Sequence, residues 1–167
     1  MTQTLRPLDK LAVALALLIG LGAIGGALVS EHFFGLAPCP LCLDQRVPYY
    51  WGLPVLAAVL VLWNRLPLTV WYVAIAIVAA LFAYNTWLGA YHAGVEWGWW
   101  AGPQSCVGVG EAISFDALGD LNSARFVPCD QVQFRFLGIS MAGYSALVSL
   151  GIVALLGVAA FTQFRRN

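Results

Sequence analysis

The chain contains few charged residues. Asp, Glu, Lys and Arg account for only 10% of its 167 residues, whereas hydrophobic residues account for 61%. Soluble domains usually carry about 25% charged residues. This composition excludes an ordinary soluble domain and indicates an integral membrane protein.

Neither sign of charge is in excess. Eight basic and eight acidic residues give a formal net charge of zero. The chain therefore has no basic surface that would attract a polyanion and no long acidic tail. We expect no nucleic-acid partner.

The first apolar run, Leu11 to Val29, is not followed by a clear cleavage site of the A-x-A type. The apolar region of a signal peptide is usually about 7–15 residues long, and this run is longer. We therefore expect a retained helix.

Four apolar stretches have the length of a membrane span. At ~1.5 Å per residue each reaches ~24–32 Å, close to the ~30 Å hydrocarbon core of a bilayer. The pattern predicts an all-α membrane protein in which residues 1–167 form a single domain, an antiparallel four-helix transmembrane bundle. The predicted spans are Leu11 to Val29, Pro48 to Trp63, Leu68 to Trp87 and Met141 to Phe161.

Basic residues near the span ends predict the orientation. Five lie on one side under this topology and three on the other, which places both termini in the cytoplasm. The five are Arg6, Lys10, Arg65, Arg165 and Arg166, and the three are Arg46, Arg125 and Arg135. The outer loops, about residues 30–47 and 91–140, then face the periplasm of a bacterial inner membrane.

Small and polar residues inside the spans predict how the helices pack. Gly22 and Gly26 in the first span, with Gly143 and Gly151 in the fourth, are interpreted as positions where helix backbones approach closely. Asn85 in the third span is interpreted as a hydrogen-bonding residue between helices.

The second outer loop is about fifty residues long, and loops of that length tend to be functional or disordered. Apolar residues between Glu111 and Leu121 lie on one helical stripe. This predicts a short interfacial helix on the membrane surface.

All four cysteines fall on the outer side: Cys39 and Cys42 as a C-x-x-C, then Cys106 and Cys129 in the second loop. Disulfides persist in such an oxidising compartment. A zinc site of four cysteines is disfavoured because only one half has C-x-x-C spacing. Two structural disulfides and a relay for electrons remain as alternatives.

Arg46 favours the relay. It follows Cys42 by four residues, and a cation together with a helix N-terminus stabilises the reactive thiolate. This predicts Cys42 as the activated sulfur. At membrane depth the available two-electron acceptor is a quinone, and Arg46 is able to hydrogen-bond a quinone oxygen. His92, just past the third span, is able to donate a hydrogen bond or a proton to it.

The stretch from Pro38 to Arg46, PCPLCLDQR, resembles the P-C-x-L-C-x-x-x-R signature of the disulfide bond formation protein B (DsbB) family. The segment from Cys129 to Met141 is similar to that family's entry into its last span. The resemblance covers nearly the whole chain. It implies a quinone-dependent thiol:disulfide oxidoreductase that reoxidises a periplasmic thioredoxin-fold dithiol oxidase of the DsbA type.

The resemblance also implies roles for individual residues. Cys39 and Cys42 match the quinone-proximal pair, with Arg46 and His92 beside the quinone, which is ubiquinone or menaquinone. Cys106 matches the cysteine that meets the partner, and Cys129 its companion. Two alternatives remain: a vitamin K epoxide reductase-like oxidoreductase, and a non-catalytic membrane scaffold with two structural disulfides.

Overall fold

The computed structural model describes residues 7–106 and 127–165. The described segments form five α-helices, a 3₁₀ turn at Gln104–Cys106 and a small hairpin of two antiparallel strands, β1 (Arg135–Phe136) and β2 (Ile139–Ser140). The helices are α1 (Pro7–Phe34), α2 (Pro40–Asp44), α3 (Val47–Val61), α4 (Leu68–Glu96) and α5 (Met141–Phe164). The predicted interfacial helix at Glu111 to Leu121 lies outside the described residues.

Two helices extend beyond their predicted ends. Helix α1 continues to Phe34 and α4 continues to Glu96, because backbone hydrogen bonding does not stop where the apolar run stops. Each is followed by a glycine with positive φ, Gly35 at 66° and Gly98 at 72°, a conformation that commonly ends helices. His92, which was expected just past the third span, therefore lies within α4.

Three helices in the described part of the chain are long and apolar enough to cross a membrane: α1 from Leu8, α4 and α5. The prediction of an all-α membrane protein is confirmed at this level. Helix α3 has 15 residues and ends at Val61, not at Trp63 as predicted, because residues 62–65 form a turn. It is shorter than the ~20 residues that usually span a bilayer.

Each neighbouring pair of long helices runs in opposite directions. Helix α1 packs against α3 and α5, and α4 packs against the same two helices. Thr162, near the end of α5, donates a hydrogen bond to Asp9, near the start of α1, at 2.7 Å. Fully buried side chains from α1, α3, α4 and α5 form a common apolar core, which includes Val13, Leu56, Trp71, Phe82 and Ile152.

Close packing of α4 on α5 depends on a glycine that the sequence analysis did not single out. A Cβ at Gly89 would lie 2.8 Å from the backbone nitrogen of Ala146. At Gly22, Gly26 and Gly151 a Cβ would meet nothing within 4 Å, so their interpretation as close-approach positions was wrong. The interpretation of Asn85 is confirmed, because its amide donates a hydrogen bond to Ser149 of α5 at 2.8 Å.

Candidate functional site

Cys39 and Cys42 form a disulfide at the start of the short helix α2, with Cα atoms 5.0 Å apart. Pro40 occupies the first helical turn, where its missing N–H costs nothing. The backbone N–H of Cys42 donates a hydrogen bond to the Cys39 sulfur at 3.1 Å. The helix N-terminus therefore points to Cys39, so this part of the argument for Cys42 as the activated sulfur was misplaced.

Cys106 and Cys129 form the second disulfide, with Cα atoms 5.2 Å apart. Both are enclosed in the structure: Cys106 is 4% exposed and Cys129 is 1% exposed. The 3₁₀ turn that carries Cys106 contacts α2, and both pairs belong to one buried cluster with Leu41 and Leu88. Folding thus brings the two disulfides together although Cys42 and Cys106 are 64 positions apart in the sequence.

The segment before Cys106 folds back over the end of α4. The Trp100 ring stacks on Tyr91 with centroids 5.9 Å apart, and its Nε1 donates a hydrogen bond to the Tyr91 carbonyl at 2.8 Å. A Cβ at Gly94 would lie 2.1 Å from the Trp100 ring, so the fold-back requires glycine at this position. Tyr91 Oη completes the contact by donating to the Ala101 carbonyl at 3.1 Å.

His92 lies between the two disulfides and is 2% exposed. Its Nε2 is 3.6 Å from the Cys39 sulfur and 3.3 Å from the Cys129 carbonyl oxygen. Because a carbonyl only accepts, Nε2 carries the hydrogen in this arrangement. The Gln45 side-chain amide lies 2.7 Å from Nδ1 and donates to it. These contacts correspond to a neutral imidazole whose orientation is set from both sides.

Arg46, which lies between α2 and α3, forms an ion pair with Glu31 of α1. The two side chains are 13% and 28% exposed, so the pair is largely removed from solvent. Sequence reasoning missed Glu31 and Gln45 as partners. The available signals were a lone acidic residue at the end of the first helix and a polar residue immediately before Arg46.

A cavity of about 380 Å³ lies between α1 and α5. Cys42, Arg46 and His92 all line it, so the structure brings these three predicted site residues together at one cavity. Most of the remaining wall is apolar, and the α1 wall includes Gly22 and Gly26. The volume lies within the ~300–1,000 Å³ usual for small-molecule sites.

One group in the described part of the chain has the residue types of a metal site. The ligand atoms of Cys39, Cys42 and His92 lie within 4.8 Å of one another. The two sulfurs are bonded to each other in the structure. They would need to be reduced to thiolates before they could hold a metal ion.

Comparison with known proteins identifies the family of this chain. The family model described as disulfide bond formation protein DsbB matches residues 9–159. No solved structure matches significantly.

Three relatives align over most of the chain. Disulfide bond formation protein B of Dechloromonas aromatica is 30% identical over 142 residues, which cover 81% of each chain. The protein of the same name from Hahella chejuensis is 30% identical over 150 residues and 87% of each chain. An uncharacterized protein of Rickettsia prowazekii is 25% identical over 147 residues, covering 86% of this chain and 83% of its own. The resemblance seen in the sequence is confirmed, and the chain belongs to the disulfide bond formation protein B family.

Proposed function

We propose that this chain oxidises a periplasmic thioredoxin-fold dithiol protein of the DsbA type and passes the electrons to a membrane quinone. The observation that carries the proposal is the arrangement around His92. Its Nε2 lies 3.6 Å from the Cys39 sulfur and 3.3 Å from the Cys129 carbonyl oxygen, and of the two cysteine pairs it is Cys39 and Cys42 that line the cavity. The Cys106–Cys129 pair is therefore next to the Cys39–Cys42 pair, which in turn is next to the cavity.

We propose that α3 also crosses the membrane and completes a four-helix transmembrane bundle. Its 15 residues reach ~22 Å, which is short for a span, but it packs between α1 and α4 and has Tyr50 and Trp51 exposed at its first turn. The termini are then cytoplasmic and all four cysteines periplasmic, in the bacterial inner membrane. Three described basic residues, Lys10, Arg65 and Arg165, lie at the end opposite the cysteines, and two, Arg46 and Arg135, lie at the cysteine end, an excess that supports this orientation.

The residues of the cavity fit a quinone. A quinone ring is apolar on its faces and carries two oxygens that accept hydrogen bonds, and the cavity combines apolar walls with the Arg46 guanidinium. The open space beside Gly22 and Gly26 gives a flat wall on α1. When bound, a quinone supplies an acceptor for two electrons and two protons. Cys42 and Arg46 are the residues proposed to hold it, with His92 beside them in the cavity wall.

The chemistry begins with thiol–disulfide exchange. A thiolate of the reduced partner attacks the Cys106 sulfur, breaks its bond to Cys129 and forms a mixed disulfide. The second partner thiol resolves it, so the partner leaves oxidised and the loop pair is reduced. Because Cys106 is only 4% exposed, this step requires local opening around the 3₁₀ turn.

The second exchange transfers the electrons inward. A thiolate of the loop pair attacks the Cys39–Cys42 disulfide, and the loop disulfide re-forms as the second pair is reduced. His92 is placed to act here, because its Nε2–H lies near both the Cys39 sulfur and the Cys129 backbone. Reoxidation of Cys39 and Cys42 releases two electrons and two protons. Arg46 provides the positive charge that stabilises the Cys42 thiolate during this step.

Two half-reactions test the proposal separately. Purified protein is first mixed with a reduced thioredoxin-fold protein, and the thiols are counted. Pre-reduced protein is then mixed with a soluble quinone analogue, and the quinone absorbance is followed. Cys106→Ser should abolish the first half-reaction and leave the second intact, whereas Cys42→Ser should abolish quinone reduction.

The scaffold alternative predicts a different result. If the two disulfides are only structural, both serine variants unfold at lower temperature and neither wild-type half-reaction proceeds. Retention of full turnover by either variant would contradict the relay.

A further inference from the structure

Glu96, the last residue of α4, has a feature that the exchange chemistry does not explain. Its Oε2 is buried and has no hydrogen-bond partner among the described residues. Buried polar atoms are nearly always paired, so an unpaired carboxylate oxygen calls for a reason. Glu96 also lines the cavity that holds Cys42 and Arg46.

The other proton-carrying groups of this cavity are already engaged. Both nitrogens of His92 make hydrogen bonds, one with the Gln45 amide and one with the Cys129 carbonyl. The Tyr144 hydroxyl donates to the Phe136 carbonyl at 3.0 Å. The guanidinium of Arg46 is paired with a carboxylate and does not give up a proton in proteins. Among the described residues that line the cavity, Glu96 is the titratable one with a buried oxygen that has no hydrogen-bond partner.

The position of Glu96 also connects the cavity to the outer surface. The residue is half-buried, and its carboxyl interacts with Ser140 and with the charge of Arg135, which is exposed on the β1–β2 hairpin. The Ser140 oxygen accepts from the backbone N–H of Gly143, which leaves its own hydrogen free to point to Glu96. Among the described residues, Ser140 and Arg135 interact with the carboxyl, and His92 lies one helical turn earlier on α4.

We propose that Glu96 is a proton-transferring residue of this site. The proposal rests on the proposed function. When Cys39 and Cys42 are oxidised, two electrons leave the sulfurs for the bound quinone, and the two thiol protons are released. Reduction of a quinone also consumes two protons. The two thiol protons leave to the outer aqueous side. Protonated Glu96 gives two protons in turn from Oε2 into the cavity and regains each from the outer surface past Arg135, so proton release and uptake balance.

The test compares Glu96→Gln with Asp130→Asn, which removes a carboxylate from an exposed position next to Cys129 and outside the cavity lining. Reduced proteins are mixed with a soluble quinone analogue in single turnover. General acid–base residues contribute about 10²–10⁴-fold, so E96Q should slow quinone reduction by about 100-fold. The exchange between the loop pair and Cys39–Cys42 should keep its rate, and D130N should match wild type.

Infrared difference spectra between the oxidised and reduced proteins give a readout that is independent of turnover. A carboxylic-acid band that shifts in D₂O should be present in wild type and D130N and absent in E96Q. Glu96→Asp keeps the acid and should keep the band with a partial rate, which separates proton transfer from misfolding.

A wild-type rate in E96Q, or an unchanged band, would overturn the role of Glu96. That failure is distinct from failure of the proposed function, in which wild type itself reduces no quinone.

Discussion

The side-chain amide of Gln45 donates a hydrogen bond to Nδ1 of His92 at 2.7 Å, across 47 residues of sequence. This bond connects the segment of the C-x-x-C to helix α4. It leaves the hydrogen of His92 on Nε2, the nitrogen that faces Cys39 and the Cys129 carbonyl. Gln45 is 5% exposed, so water does not readily replace the bond.

Replacing Gln45 with Leu should slow exchange between the two disulfides. The change removes a buried hydrogen bond worth about 1–2 kcal/mol, and His92 is then free to adopt the other tautomer. We expect a loss of about 5- to 30-fold in the exchange rate. The measurement is rapid-quench trapping of thiols after two-electron reduction of the Cys106–Cys129 disulfide.

Asp44→Asn is the matched control for Gln45, because Asp44 is the exposed preceding residue. It should leave the exchange rate within about twofold, since surface substitutions change the energy little. If Q45L exchanges as fast as D44N, Gln45 does not position His92.

The glycines of α1 and α4 should respond in opposite ways to added side chains. Gly89→Ala forces a Cβ to 2.8 Å from the Ala146 backbone, and overpacking of this kind costs about 1–3 kcal/mol. Gly26→Ala meets open space, so it should not clash. Thermal unfolding in detergent should show a lower midpoint for G89A and no loss for G26A.

A bulkier change at the same α1 position tests the cavity. Gly26→Leu should raise the KM for quinone while the unfolding midpoint and the dithiol exchange rate stay near those of wild type. A quinone KM equal to that of wild type would show that the space between α1 and α5 is not where quinone binds.

Arg46→Lys should weaken quinone use while preserving the charge. Lys lacks the planar set of donors through which Arg is able to bond both Glu31 and a ligand oxygen. We expect a roughly tenfold rise in the quinone KM, equivalent to about 1.4 kcal/mol. Steady-state kinetics with a soluble quinone analogue measures it.

Arg65→Lys is the control for Arg46, since Arg65 is exposed at the opposite end of the helices. It should leave the quinone KM unchanged. Equal kinetics for R46K and R65K would remove Arg46 from the quinone site.

Much of the fold follows from the sequence because the thickness of the bilayer sets the length of apolar run that a membrane-spanning helix needs. The runs that start at Leu68 and Met141 become α4 and α5 from those residues onward. The helix ends were predicted less well. Helices α1 and α4 end near Gly35 and Gly98, several residues after their apolar runs end. The role of Gly89 could not be predicted, because it depends on which turn of α5 lies against it.

The candidate site divides in the same way. Cys39, Cys42 and Arg46 lie within eight residues of one another, so their common location was predictable from the spacing. The contacts of Arg46 with Glu31 and of His92 with Gln45 depend on how separate helices pack. The cavity between α1 and α5 was not predictable for the same reason, because no local pattern reports a space between two helices distant in sequence.

In the proposed relay, electrons pass from an external dithiol through both disulfides to a quinone. The most direct measurement mixes purified protein with an excess of reduced thioredoxin-fold protein and a known amount of soluble quinone, and counts both products. The proposed relay requires one quinone to be reduced for every two thiols oxidised, with no turnover in Cys42→Ser. Oxidation of the dithiol without quinone reduction, or no reaction by a folded protein with both disulfides intact, would contradict it.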